Sequence, residues 1–147
     1  MQQANCIFCK IARGEAPCTR VYEDQRTLAF MDIQPASEGH ILVVSKEHFE
    51  TLLEIDEANL TAVSLTVQRV ARAIQHTLEP DGIRVAQLNG SAAGQTVFHY
   101  HVHLVPLMEG QKAGFHGRGV GDLDKIARIG GKIRSTLENL PPEKPVY

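Results

Sequence analysis

Three histidines at alternate positions, in His99-Tyr100-His101-Val102-His103, constrain this chain more than any other stretch of its sequence. They sit in the run Gly94-Gln95-Thr96-Val97-Phe98-His99-Tyr100-His101-Val102-His103-Leu104-Val105-Pro106. A period of two predicts a β-strand, with the three imidazoles on one face and Tyr100, Val102 and Leu104 buried on the other. Along a strand, side chains at i and i+2 stand about 7 Å apart, and the outer pair about 13 Å. A Zn–N bond is about 2.1 Å, so two neighbouring histidines can share one ion but hardly all three. A division of labour follows, with one histidine on a metal and another free for chemistry. The alternative is a half-polar strand that happens to be rich in histidine.

The 147 residues suit one domain spanning 1–147. A net charge of −2 gives no bulk attraction to nucleic acid or an anionic membrane, so any phosphate recognition must come from local groups. No run approaches the roughly 18 consecutive apolar residues of a membrane span. Met1 to Asn5 lack the build of a secretory signal, so the expected compartment is the cytoplasm. Cys6, Cys9 and Cys18 make an odd count, which points away from a disulfide framework.

Cys6-Ile7-Phe8-Cys9 leaves metal binding, redox work and coincidence open. Nothing upstream supplies the strand a thioredoxin-like motif would follow, which favours zinc. A short helix is expected after it, ended by Gly14 and Pro17; Cys18 reads as structural or incidental. Alternation and turn residues predict strands over 20–23, 27–33, 40–45 and 82–89. Asp32 closes the second of these, beside the loop that delivers His40. Ser45 is expected to cap a short helix over 46–53. A longer helix, capped by Asp56, carries Leu60, Val63, Val67, Val70, Ile74 and Leu78 on one stripe; His76 near its end reads as a solvated residue. The small-residue loop 89–95 can aim backbone N–H groups at an anion. Residues 108–121 read as irregular. A last helix from Leu123 carries Ile126, Ile133 and Leu137, is loosened by Gly130-Gly131, and ends at Pro141-Pro142.

Taken together, these stretches resemble the histidine triad superfamily of nucleotidyl hydrolases and transferases, in its branch of bacterial zinc-containing nucleotide-binding proteins. His99-Tyr100-His101-Val102-His103-Leu104-Val105 matches the pattern His-φ-His-φ-His-φ-φ, with Tyr100 in a slot more often aliphatic. Cys6-Ile7-Phe8-Cys9-Lys10-Ile11, the run from Phe30 to Val43, Lys46-Glu47-His48-Phe49-Glu50-Thr51-Leu52 and the run from Asn89 to Val97 support it in family order.

The resemblance implies an α+β fold with a five-stranded antiparallel sheet and packed helices. It makes His101 the nucleophile toward the α-phosphorus of purine nucleoside phosphoramidates or adenylated compounds. A nucleotidyl-histidine would form, and water would release the nucleoside monophosphate. His103 would stabilise charge or move a proton, with His40 as a hydrogen-bonding neighbour in the active-site cluster. Asn89, Gln95 and Thr96 match phosphate or leaving-group contacts, and Asp32 the carboxylate that accepts both ribose hydroxyls. Ile7, Phe8, Phe30, Ile33 and Leu42 match the walls of the base pocket, ordinary core being the alternative for each. Cys6, Cys9, His48 and His99 match a closed, structural Cys₂His₂ zinc site. The family usually pairs as a two-fold homodimer through the long helix and a neighbouring strand. Two other functions compete: dinucleoside polyphosphate hydrolysis, and a nucleotide-binding regulatory or scaffold protein with vestigial catalysis. The intact triad with Gln95 and Thr96 argues for chemistry.

Overall fold

A computed structural model describes residues 3–117 and 119–140. Five strands form one antiparallel sheet: β1 (Arg20–Glu23), β2 (Thr27–Met31), β3 (Ile41–Ser45), β4 (Gly82–Ala86) and β5 (His101–Leu107). Their spatial order is β1-β2-β3-β5-β4. The helices are α1 (Ile7–Ala12), α2 (Glu57–Leu78) and α3 (Leu123–Asn139).

Alternation along the three central strands sorts side chains to two faces. Ala29, Met31, Ile41, Val43, Val102 and Leu104 join Val63, Val70, Ile74, Ile126 and Ile133 in the larger core, beneath α2 and α3. Leu28, Phe30, Leu42 and Val44 point the other way, where Phe8 and Ile11 of α1 cover them. Strand pairing sets Leu42 opposite His103 and Val44 opposite His101, which puts both imidazoles on the α1 face. One short helix covers only part of that face. The part of that face over β5, where His101 and His103 keep 5% and 3% of their surface exposed, is the candidate cleft.

The expected stripe of α2 is a core stripe: Val63, Val70 and Ile74 are fully buried, and Leu60, Val67 and Leu78 pack against them. Asp56 caps this helix through the Asn59 N–H, and His76 is exposed as expected. Four expectations need correction. The helix over 46–53 does not form, because tertiary partners take its backbone groups. The Phe49 carbonyl accepts the Tyr100 N–H at 2.6 Å, the Glu50 carbonyl accepts the Gln95 amide at 2.7 Å, and the Leu52 N–H goes to Asn89 Oδ1 at 2.8 Å. For the same reason His99 stands outside β5, which begins at His101. Strands β2 and β4 stop short, at Met31 and Ala86, because Asp32 turns to accept the Gln34 N–H and Asn89 pairs with Gln87.

The fourth correction concerns α3, which runs unbroken through Gly130-Gly131. Gly130 is needed for close packing: a Cβ there would lie 2.4 Å from Thr19 Cγ2 and 3.0 Å from Met31 Cγ. Around Gly131 there is nothing within 4 Å. Gly130→Ala is therefore expected to destabilise by about 1–3 kcal/mol through overpacking. Gly131→Ala should stabilise by up to about 1 kcal/mol through helix propensity. Thermal unfolding of the two variants checks the opposite signs. The expected stop at Pro141-Pro142 lies outside the described residues.

Candidate active site and metal centre

Four ligand-type residues from three segments meet at the N-terminal edge of the cleft. Cys6 caps α1, Cys9 lies one turn into it, His48 follows β3 and His99 precedes β5. Cys6 Sγ is 3.3 Å from His99 Nδ1, and Cys9 Sγ is 3.4 Å from His48 Nδ1 and 3.5 Å from His99 Nδ1. All four donor atoms lie within 4.8 Å of one another. A tetrahedral ion with S and N ligands sets its donors about 3.5–3.8 Å apart, so the cluster has the right size.

The protonation states also fit a metal. The Ser45 carbonyl accepts His99 Nε2–H at 2.6 Å, which leaves the Nδ1 lone pair facing both sulfurs. Burial pulls His99 down to about 4 and lowers His48, so both rings are neutral at pH 7. Burial pushes the Cys9 thiol up, against the pull of the Gln3 N–H on its sulfur. A thiol that burial holds protonated becomes a thiolate when a cation takes the proton's place. These side chains fit a metal ion.

His101 and His103 open the cleft on β5. The His99 carbonyl accepts His101 Nδ1–H at 2.6 Å, which fixes the tautomer and leaves Nε2 with its lone pair. Burial lowers the His101 pKa against the opposing pulls of that carbonyl and of Asp32, so the ring is a neutral nucleophile at pH 7. Phe8 stands edge-on to it, with centroids 5.0 Å apart, and His103 follows at 4.9 Å.

Behind His103 the tautomers are also fixed. The Ala36 N–H donates to His40 Nδ1 at 2.9 Å, so the proton of neutral His40 sits on Nε2. That Nε2–H donates to His103 Nδ1 at 3.0 Å, so His103 carries its proton on Nε2. His103 Nε2 is buried with no partner among the described residues. Burial holds His40 near 4 and His103 near 3. Both are neutral.

Asp32, His40 and His103 also bring donor atoms within 4.8 Å of one another, with Asp32 Oδ2 3.5 Å from His40 Nε2. The Ala36 N–H argues against a second metal there. A ligating His40 Nε2 would need its proton moved to Nδ1, N–H against N–H. Burial raises the Asp32 pKa, while the Gln34 N–H and the nearby His116 and His101 pull it back.

Phe8, Phe30 and Leu42 are buried in one cluster, while Ile7 and Ile33 are 46% and 51% exposed. The apolar set thus divides into a floor and a rim. Asn89 is held by Gln87 and the Leu52 N–H. Gln95, buried, accepts the Gly90 N–H and donates to the Glu50 and Val97 carbonyls. Both amides shape the loop, and Thr96 is the exposed member of the trio.

The sequence reading left out His116. It lies in the Gly-rich segment after β5, half-buried, and its ring stands against His103 with centroids 5.4 Å apart. Its Nε2–H donates to the Gly94 carbonyl at 2.8 Å. A single histidine among Gly114, Gly117, Gly119 and Gly121 was the available signal.

The sheet presents a fixed-tautomer imidazole beside a second imidazole N–H, a pairing that has the groups nucleophilic chemistry by histidine requires. In comparison with known proteins, residues 13–110 match the model of the HIT domain, and the chain belongs to this histidine triad family. The adenosine 5′-monophosphoramidase HNT1 of Candida albicans is 35% identical, covering 96% of this chain and 97% of that protein. The adenylylsulfatase HINT3 of Arabidopsis thaliana is 40% identical over 73% of this chain, which spans 54% of that longer protein. A Zn-bound histidine triad family protein from Mycobacterium smegmatis superposes with a TM-score of 0.81 at 38% identity, covering 91% of this chain and 94% of that one. Among the described residues no helix is long and apolar enough to cross a membrane.

Proposed function

We propose that this HIT-family protein is a nucleotide-binding hydrolase that attacks the α-phosphorus of purine nucleoside 5′-phosphoramidates or related adenylated compounds. The observation that carries this reading is the hydrogen bond from His101 Nδ1–H to the His99 carbonyl, which aims a neutral Nε2 lone pair into the cleft. Attack forms the Nε2–P bond of a nucleotidyl-His101, and the retained Nδ1–H lets the His99 carbonyl stabilise the positive ring. His103 Nε2–H supplies a donor for the charge that develops on phosphoryl oxygen. Water then cleaves the P–N bond and releases the nucleoside monophosphate. Phe8, Phe30 and Leu42, rimmed by Ile7 and Ile33, receive the base. The loop shaped by Asn89 and Gln95, with Thr96, receives the phosphate.

HNT1 and HINT3, by their names, act on adenylates with nitrogen and sulfate leaving groups, which supports this substrate class. Dinucleoside polyphosphate hydrolysis is the second reading, since the same nucleophile would serve it. A purely regulatory binder would have no need of the fixed His101 tautomer. Comparing kcat/KM across adenosine phosphoramidates, adenosine 5′-phosphosulfate and dinucleoside polyphosphates tests the reading. Hydrolysis of none of them would refute it.

Cys6, Cys9, His48 and His99 would hold zinc, which when bound would tie α1 to the segments after β3 and before β5 as a structural cross-link. The whole chain 1–147 is taken as one cytoplasmic domain. A second copy would pair along the β4 edge and the outer side of α2, where Val85 and Leu65 are exposed.

Asp32 is assigned to the ribose hydroxyls. Asp32→Ala should weaken AMP binding about tenfold or more, since hydrogen bonds to a charged group contribute about 1.5–3 kcal/mol each. Titration calorimetry should show a smaller loss for the 2′,3′-dideoxy analogue. Equal losses would reduce Asp32 to the turn residue that its bond with Gln34 N–H makes it.

A further inference from the structure

The hydrogen-bond chain behind His103 runs in one direction. It starts at a backbone N–H, passes through His40 and ends at His103 Nδ1. A backbone donor cannot be reversed. For His103 to carry a second proton, its Nδ1–H would face His40 Nε2–H, and His40 cannot turn round because Nδ1 already accepts from Ala36. Giving up its only N–H would leave an imidazolate, which neutral pH does not support. His103 is therefore built as a neutral hydrogen-bond donor. An amine that leaves phosphorus with an electron pair needs its proton from another group.

We propose that His116 is a further catalytic residue, the general acid that protonates the leaving group. It stands beside His103 on the side away from Phe8, the last of four rings that run Phe8, His101, His103, His116 at 5.0, 4.9 and 5.4 Å. Its Nε2–H is fixed on the Gly94 carbonyl, at the head of the phosphate loop. Nδ1 is thus the nitrogen that takes up and gives back a proton. Unlike the buried His101 and His103, this ring is half-exposed and can exchange with solvent.

The segment that delivers the ring is tied down on both sides. Arg84 Nη1 donates to the Ala113 carbonyl at 2.7 Å, and the Gly117 N–H donates to the Gln34 carbonyl at 3.0 Å. Gly117 passes so close that a Cβ would lie 2.3 Å from the Gln34 oxygen. The charged and titratable groups facing His116 are Asp32 at the end of β2, His40 on the following loop, and His101 and His103 on β5.

The step balances. As His101 Nε2 bonds to phosphorus, the P–N bond to the amine breaks, its electron pair stays on nitrogen, and His116 Nδ1–H supplies the proton. In the second half, water attacks phosphorus, passes its proton to His116 Nδ1, and His101 leaves as the neutral ring. The cycle restores both imidazoles and consumes one water.

This inference rests on the hydrolase reading above. The test compares an adenosine 5′-phosphoramidate with an alkylamine leaving group and the 5′-p-nitrophenyl ester of AMP, whose phenolate leaves without a proton. His116→Gln keeps an amide N–H in reach of the Gly94 carbonyl but cannot titrate. It should lower kcat/KM about a hundredfold for the amine and by no more than about threefold for the nitrophenyl ester. The alkaline limb of the wild-type profile with the amine should vanish in the variant. His103→Ala should reduce both substrates to a similar extent. Equal losses on both substrates in His116→Gln would make His116 a wall of the cleft and overturn the proposal, as would a leaving-group-selective loss in His103→Ala alone. Wild-type protein that hydrolyses neither substrate, or His101→Ala that hydrolyses both, would refute the hydrolase reading instead.

Discussion

Replacing His101 by alanine is expected to lower turnover roughly a thousandfold or more, because covalent catalysis loses its attacking atom. The fold should notice little. His101 contributes one hydrogen bond, to the His99 carbonyl, worth about 1 kcal/mol. A shift of that size moves the thermal midpoint of a domain this large by about 3 °C. Nucleotide binding should stay within about tenfold of wild type, since the base, ribose and phosphate are assigned to other residues. Steady-state kinetics, calorimetry and thermal unfolding on one preparation separate these effects. A loss of turnover that tracks a loss of folded protein would contradict the assignment.

The second large effect concerns the metal. Freshly prepared protein should contain close to one zinc per chain, and Cys6→Ser with Cys9→Ser should abolish it. Zinc contributes about 10 kcal/mol or more in small fingers that have no other core. Here the larger apolar cluster includes none of the four ligands, so the double variant should fold and melt about 10 °C lower. Turnover should fall as well. His99 would offer Nδ1 to the metal, and its main-chain carbonyl accepts His101 Nδ1–H, so a loosened His99 would loosen the proposed nucleophile. Metal analysis by plasma spectrometry and a melting curve check both halves. No zinc in unchelated wild-type protein would contradict the assignment of all four ligands.

Much of this site was legible in the sequence because it is built from short-range rules. Period-2 alternation placed His101 and His103 opposite Val102 and Leu104, and the strand register then fixed their neighbours on β3. The α2 stripe and its Asp56 cap are local signals and were read as such. The geometric limit on three histidines sharing one ion assumed a regular strand, which His99 leaves. The early ends of β2 and β4 are local, set by Asp32 with Gln34 and by Asn89 with Gln87, whereas the other misreadings involve partners distant in sequence. Residues 46–53 carry helix-compatible chemistry, but Asn89, Gln95 and Tyr100 claim their backbone groups. Gly130 looked like a weak point, and its reason lies on the other side of the sequence, at Thr19 and Met31. The direction of the His40–His103 hydrogen bond depends on one backbone N–H, that of Ala36, whose position no pattern encodes. His116 reaches the cleft only because a glycine segment folds back over Gln34.

The central claim is that His101 Nε2 forms a covalent bond to the α-phosphorus. Rapid acid-free quenching of wild-type protein with an α-³²P-labelled adenosine phosphoramidate, followed by peptide mapping, tests it most directly. The account predicts a base-stable, acid-labile adenylyl group on His101 that forms and decays at rates consistent with turnover. Label on His99, His103 or His116, or turnover with no label on any histidine, would contradict it.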